Sequence, residues 1–297
     1  MTSDVRTLPV ALLPEPDAMV RSLRAGLPQF TQIDWVESTS STNADLYARA
    51  RDARGALARP WLLGAHLQER GRGRAGRTWQ NRRGANLMFS CAFDIFLPPR
   101  QLPSLSPLAG MVACETLRRV ISPNNRPHLT MKWPNDIQWK GAKLAGILVE
   151  VTRAGTARLA PDHHIAIIGI GINLDDARAL SQSLNRRIAD WAEIARTDAL
   201  ATTVTAAGLV TRIGQAWYDG LNDATARGFK TFPARFGQVD ALLGQTVDVV
   251  DDGRLMQTGV ACGVNTQGQL VLRTPQGETA VTVGEISIRA QKAPSLP

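Results

Sequence analysis

The sequence predicts an α+β protein in two parts: a large unit over residues 1–240 and a small β-rich unit over residues 241–297. Three observations lead there. The chain has 297 residues, more than one average domain uses. Strand-like runs crowd into residues 129–172, and helical spacing follows over residues 175–228. From about Leu242 short β-rich runs alternate with D-D-G-R, N-T-Q-G and T-P-Q-G, the texture of a small barrel. At 44% hydrophobic and 20% charged residues, enough apolar material is present for an ordinary core.

Val20, Leu23 and Leu27 stand at helical spacing, so a short helix is expected over residues 16–27. A strand follows over Phe30–Val36. Ser41-Thr42-Asn43 then offers capping side chains before a helix over Ala44–Ala50. Trp61–Leu67 reads as a strand, residues 69–84 as an Arg-Gly loop, and Asn86–Phe96 as a strand stopped by Pro98-Pro99. Leu108–Val120 carries the clearest helical face of the first half. Four strands are predicted next: Leu129–Trp133, Asp136–Trp139, Leu144–Thr152 and Ile165–Ile172, with Lys140-Gly141 as a tight hairpin turn. Leu209, Ile213 and Trp217 share one helical face. Beyond a boundary near Gly237–Leu242, strands are expected over Thr246–Val250, Leu255–Cys262, Gln269–Arg273 and Thr279–Val283.

The formal net charge of +8 calls for an anionic partner or substrate. Nucleic acid, nucleotide phosphates, an acidic protein and an acidic membrane surface all meet that description. Three cysteines (Cys91, Cys114, Cys262), widely spaced and odd in number, argue against a disulfide framework or zinc site. No apolar run is long enough to span a bilayer, and prolines interrupt the N-terminal apolar patch, so a cytoplasmic location is expected. His163-His164 suits a polar entry to a strand better than a metal site, because neighbouring strand residues face opposite ways.

Gly71-Arg72-Gly73-Arg74-Ala75-Gly76 is formally G-x-G-x-x-G, but R-T-W-Q-N-R-R-G follows it and has no helical periodicity. A dinucleotide turn must lead into a helix whose N-terminus receives the pyrophosphate, so that reading fails. Six arginines fall within residues 70–83, interleaved with glycines. Arginine forks grip phosphate or carboxylate while glycine lets backbone N–H groups approach the same anion. Only Trp79 interleaves with them, a thin stacking platform for single-stranded nucleic acid, so a small anionic ligand is the better reading.

Lys132-Trp133-Pro134-Asn135-Asp136 holds a polar pair at a rigid turn. Asn135 and Asp136 suit backbone capping there; with Lys132 they equally suit a nucleotide triphosphate and Mg²⁺. Lys143 heads the apolar strand Leu144–Glu150 and needs an anion to offset its desolvation. Gly146 inside that strand points to close approach of a ligand or another backbone. Gly169 and Gly171 alternate on one strand face, leaving room either for a flat apolar ligand or for tight packing, with Asn173 at the polar end.

Five motifs in order, S-T-N at 41–43, Q-x-x-G-R-G-R-x-G-R-x-W at 68–79, K-W-P-N-D at 132–136, K-L-A-G-I-L-V-E at 143–150 and I-G-x-G-I-N at 168–173, resemble biotin–protein ligases. The G-E-I-S-I-R ending resembles that family's small C-terminal domain. The resemblance implies a catalytic domain like that of class II aminoacyl-tRNA synthetases, with a mixed, mainly antiparallel sheet, followed by an SH3-like barrel. It implies biotin and ATP as substrates with Mg²⁺, a biotinyl-5′-AMP intermediate, and transfer to a lysine of an acidic biotin carrier protein such as the carrier subunit of acetyl-CoA carboxylase.

By matching position, Ser41, Thr42 and Gln68 would bind the ring head of biotin. Gly71, Arg72 and Arg74 would order over biotin and the adenylate. Lys143, with Arg74, would serve catalysis by neutralising the carboxylate–phosphate junction. Gly146, Gly169 and Gly171 would make room for biotin. Arg77, Lys132, Asn135, Asp136 and Asn173 would serve ATP, Trp191 would stack on adenine, and Arg289 would reach back toward the nucleotide. The metal ligands are not assigned.

About forty residues precede S-T-N, too few for the winged helix of the family's repressor members, so no sequence-specific DNA binding is expected. No membrane partner is expected, and a homodimer is compatible with the reading. A lipoate or octanoate ligase or transferase of the same fold is the nearest alternative, and a basic nucleic-acid-binding module is the alternative from another class.

Overall fold

The computed structural model describes residues 13–52, 58–155, 160–284 and 287–291. The N-terminal apolar patch therefore lies largely outside the described residues, as do Glu285 and Ile286 of the G-E-I-S-I-R ending. In chain order the elements are α1 (Pro16–Gly26), β1 (Gln32–Thr39), α2 (Thr42–Asp52), β2 (Trp61–Gln68), β3 (Asn86–Phe96), α3 (Leu105–Arg119), β4 (Leu129–Lys132), β5 (Asp136–Trp139), β6 (Ala142–Arg153) and β7 (His163–Asn173). Then come α4 (Ala177–Ser183), α5 (Trp191–Ala195), α6 (Ala199–Thr202), α7 (Ala206–Arg227), α8 (Phe232–Gly237), β8 (Thr246–Asp251), β9 (Arg254–Val264), β10 (Leu270–Thr274), β11 (Gly277–Val281) and β12 (Ser287–Ala290).

The first sheet runs β1-β2-β3-β7-β6-β5-β4. Only β1 and β2 pair in parallel, so the sheet is mixed and mainly antiparallel, as expected. Period-two alternation splits its residues between two cores. Leu87, Phe89, Cys91 and Phe93 of β3, with Ala166, Ile168 and Ile170 of β7, enter the large core, to which α1, α3 and α7 add Leu23, Met111 and Trp217. On the opposite face Trp61, Leu63, Ala92, Ile165 and Ile167 pack beneath Leu46 and Ala50 of α2. Cys91 and Cys114 behave as buried apolar residues: burial pushes the Cys91 thiol well up and that of Cys114 to about 12.

The turn between β5 and β6 is the two-residue Lys140-Gly141 hairpin, with φ of 47° and 77°, the positive pair that matches strand twist. The helical stretch after β7 is not continuous. Asp190, Asp198 and Thr205 each accept a backbone N–H and start a new helix, dividing the segment into α4–α7.

The second sheet is antiparallel in the order β11-β10-β9-β8-β12. Its last strand, within the S-I-R of the ending, was absent from the sequence expectation and pairs with β8. The two units meet where the Trp133 indole donates to the Gly268 carbonyl at 2.9 Å, and a parallel bridge joins Met131 of β4 to Asp240 in the connection between α8 and β8. Among the described residues no helix is long and apolar enough to cross a membrane.

Asp240 sits at that junction. Its Oδ1 accepts the Leu242 N–H at 2.8 Å, while its Oδ2 is buried and has no hydrogen-bond partner. Burial pushes the carboxyl up from 3.8 to about 6. The folded state therefore holds this proton more tightly than the unfolded chain, so stability from this group falls as pH rises through that window and is level above it. Asp240→Asn should be more stable than the wild type by about 1–2 kcal/mol above pH ~7, the gap closing below pH ~4. Urea unfolding across that range checks the sign.

Candidate active site

One row of register partners crosses four strands. Lys132 of β4 faces Asp136 of β5, Asp136 faces Gly146 of β6, and Gly146 faces Gly171 of β7. Two charged side chains at the row's end thus adjoin a bare strip of backbone. Gly169 and Gly171 lie on the same face of β7 as Ile165 and Ile167, so this strip continues the small core past the end of α2. The result is a cavity of about 160 Å³.

Contacts show why these positions are glycine. A Cβ on Gly171 would lie 2.5 Å from the Trp79 ring, and one on Gly169 would lie 2.2 Å from Asn43 Oδ1 and 2.9 Å from Ser90 Oγ. These glycines border the cavity and admit close side-chain packing.

The neutral polar end stands at the start of α2, where Ser41, Thr42 and Asn43 are all buried. Gln68 Oε1 accepts the Thr42 N–H at 2.8 Å. Thr42 Oγ1 lies 2.7 Å from Ser90 Oγ, and Ser90 Oγ donates to Asn43 Oδ1 at 2.7 Å. Asn43 Nδ2 donates to Glu150 Oε2 at 2.9 Å. Asn81 locks Gln68 by exchanging two hydrogen bonds with its backbone, at 3.0 and 2.8 Å.

At the other end Lys143 Nζ meets Asp136 Oδ1 at 2.6 Å and lies 5.5 Å from the centre of the Trp79 ring. Arg72, Arg74, Arg77 and Arg186 also line the cavity, and Asp136 is the one acidic residue among its described lining. Arg74 donates to Asn135 Oδ1 at 3.0 Å and to the Gly284 carbonyl of the second unit. Burial draws the Arg74 guanidinium below its ordinary range. Asn135 is itself fixed to β6 by Nδ2 donating to the Ile147 carbonyl at 2.9 Å. This end suits an anion of more than one charge.

The Arg-Gly loop folds back on itself rather than entering a helix. Gly73 N–H donates to the Arg77 carbonyl at 2.7 Å and Trp79 N–H to that of Gly71 at 2.8 Å. Ala75 and Gly76 turn the chain with φ of 52° and 66°. The failure of the dinucleotide reading is thereby explained.

Of the residues singled out from sequence, Ser41, Thr42, Gln68, Arg72, Arg74, Arg77, Asn135, Asp136, Lys143, Gly146, Gly169, Gly171 and Asn173 line this one cavity. Gly71 packs behind it, with room for a Cβ only 2.8 Å from the Trp79 carbonyl. Lys132 lies just outside the lining. Burial lowers its pKa, Asp136 raises it, and the charges of Lys143, Arg186 and Arg289 lower it further. Arg289 on β12 thus reaches the cationic end electrostatically.

Trp191 does not join the others. It is 1% exposed in the large core, its indole donates to the Ala201 carbonyl at 3.2 Å, and it does not line the cavity. Asn43, expected only as a helix cap, joins the site together with Ser90, Glu150 and Arg186, of which nothing was expected there. Asn43 belongs to the S-T-N motif and Glu150 ends K-L-A-G-I-L-V-E, so both had a signal; Ser90 and Arg186 had none.

Residues 35–173 match the model of the biotin/lipoate A/B protein ligase family. This segment, just under half of the chain, is similar to that family. The chain is 31% identical over 228 residues to the bifunctional ligase/repressor BirA of Salmonella typhimurium, covering 76% of this chain and 66% of that protein. It is 36% identical over 148 residues to the biotin–[acetyl-CoA-carboxylase] ligase of Mycobacterium tuberculosis, covering 49% of this chain and 50% of that one. The matched segment therefore spans slightly under two thirds of the first relative and half of the second. In fold it is similar to the biotin protein ligase of Aquifex aeolicus in complex with biotin and ATP, with a TM-score of 0.68 at 24% identity over 88% of this chain and all of that one.

The close contacts around the cavity floor set a steric constraint that can be ranked. Gly169→Ala forces a methyl group into the Asn43–Ser90 hydrogen bond and should destabilise the fold by about 1–3 kcal/mol. Gly146→Ala first meets Lys143 Nζ, 3.0 Å away at the end of a flexible side chain, and should cost less. Equal losses in urea unfolding would contradict this ranking.

Proposed function

We propose that this chain is an ATP-dependent ligase that forms biotinyl-5′-AMP from biotin and ATP and passes the biotin to a lysine of a carrier protein. The observation that carries the proposal is the division of one cavity into a neutral hydrogen-bonding end, a bare glycine floor and a cationic end. Biotin has the matching parts: a polar, uncharged ring head, an apolar body and a terminal carboxylate to be joined to phosphate. The relatives named for biotin ligation support it.

In the first step a biotin carboxylate oxygen attacks the α-phosphorus, the bond to the β-phosphate breaks, and pyrophosphate leaves. Two anions must approach each other, and Lys143 and Arg74 lie where positive charge offsets their repulsion and the charge that develops in transfer. Asp136 holds Lys143 in place until the substrates arrive. In the second step the neutral ε-amine of the carrier lysine attacks the acyl carbon, the bond to AMP breaks, and the amine's proton is released.

Mg²⁺ would accompany the nucleotide. Among the described residues no group of three His, Cys, Asp or Glu gathers, and Asp136 is the carboxylate at the cavity, a donor set that fits an ion held mainly by phosphates. Bound there, the ion would supply further charge neutralisation on the phosphates. The net charge of +8 favours an acidic carrier such as that of acetyl-CoA carboxylase, since opposite charge speeds encounter.

A lipoate or octanoate ligase is the second reading. It is disfavoured because neither acyl chain has a head group that can hydrogen-bond with the Thr42–Gln68 end. Biotin-dependent exchange of labelled pyrophosphate into ATP is the expected activity; exchange with lipoate or octanoate but not biotin would overturn it. Lys143→Ala should lower the exchange rate by about 10²–10³-fold with an unchanged melting temperature. A fully active variant would remove Lys143 from this role.

A further inference from the structure

Glu150 does not line the cavity, yet the Thr42–Ser90–Asn43 series of hydrogen bonds at the neutral end leads to it. Its carboxylate, at the end of the cavity-facing series Gly146, Leu148, Glu150, accepts from Asn43 Nδ2 at 2.9 Å and from Arg72 Nη2 at 2.7 and 2.9 Å. An ionised carboxylate can only accept. Asn43 must therefore turn its amide nitrogen toward Glu150, a choice reinforced by the Leu148 carbonyl 3.4 Å away. That leaves Asn43 Oδ1 facing Ser90, which has to donate its single proton there. Ser90 Oγ must then accept from Thr42, 2.7 Å away.

The consequence appears three hydrogen bonds from the carboxylate. Thr42 Oγ1 has a second acceptor in Gln68 Oε1 at 3.3 Å. But the 2.7 Å contact with Ser90 needs a proton between its two oxygens, so the Thr42 proton goes to Ser90 and Thr42 Oγ1 offers the cavity lone pairs. Gln68 must aim its Oε1 at the Thr42 backbone N–H, because an amide nitrogen there would place two donors face to face. Its Nε2 makes no hydrogen bond among the described residues and remains a donor at the cavity. We infer that Glu150 is a positioning residue: through Asn43 and Ser90 it sets which atoms of the head pocket donate and which accept. Through Arg72 the same carboxylate pins the Arg-Gly loop to that pocket.

The pocket so polarised offers an acceptor from Thr42 beside a donor from Gln68, the complement of a cyclic urea, which carries N–H donors flanking a carbonyl acceptor. The inference rests on the biotin-ligase reading and names what within the fold makes the site select a ureido ring. An alkyl or dithiolane head would gain nothing from this arrangement.

Glu150→Gln tests it, because glutamine keeps the shape but must point a donor at either Arg72 or Asn43. The wild type is assayed first: without biotin-dependent pyrophosphate exchange the ligase reading fails, and the relay is not then what failed. Given that exchange, Glu150→Gln should raise the KM for biotin about tenfold while the KM for ATP and kcat stay within about twofold. Ser90→Ala, which cuts the relay while leaving the Glu150–Arg72 pair, should give the same split. An unchanged biotin KM in folded Ser90→Ala, or a parallel rise in both KM values for either variant, would overturn the proposal.

Discussion

The site depends on a constraint of strand register. Lys132, Asp136, Gly146 and Gly171 are successive partners across β4, β5, β6 and β7. Because partners in a sheet project to the same face, a one-residue slip of any strand would turn its contribution into the large core. β3 and β7 are buried on both faces, and a slip would exchange their large-core residues with the small ones that border the cavity. Stability and site geometry are thus enforced by the same pattern.

Upon that row the two chemical ends of the cavity are built from different materials. The neutral end relies on buried hydrogen bonds with few degrees of freedom, where an unpaired donor or acceptor is costly. The cationic end relies on charges that are partly exposed and collected from distant segments: the Arg-Gly loop, β6, the stretch after α4 and, by its field, β12. Shape and polarity are therefore set by the rigid sheet, whereas charge is supplied largely by loops. The Arg74 contact with the Gly284 carbonyl and the Trp133 contact with the Gly268 carbonyl tie the second unit to this arrangement.

Much of this was legible in the chain because it rests on local rules. Alternation located β3 with its full bounds, a strand-sized apolar run located β7 to within two residues at its start, and Lys140-Gly141 located the hairpin between β5 and β6. The non-helical continuation of G-R-G-R-A-G-R excluded a dinucleotide turn, and the loop closes on itself instead. Where the reading fell short, the cause was long-range. β12 is four residues long and gains its strand character from pairing with β8, some forty residues earlier. The segment after β7 has helical composition throughout, and the side chains that break it act as caps only once the helices are placed.

By itself, then, the sequence determined the alternation that assigns each strand residue to a face, the glycines that keep one face bare, and the motif order that resembles the biotin–protein ligases. Those are properties of neighbours in the chain, set by sterics and local hydrogen bonding. Only the tertiary structure decided that Trp191 enters the core and that Arg186 and Arg289 approach Lys132. It also decided that Glu150 joins Arg72 to Asn43 over separations of 78 and 107 residues. Such contacts depend on which strands pair and which helix covers them, and no local pattern encodes that.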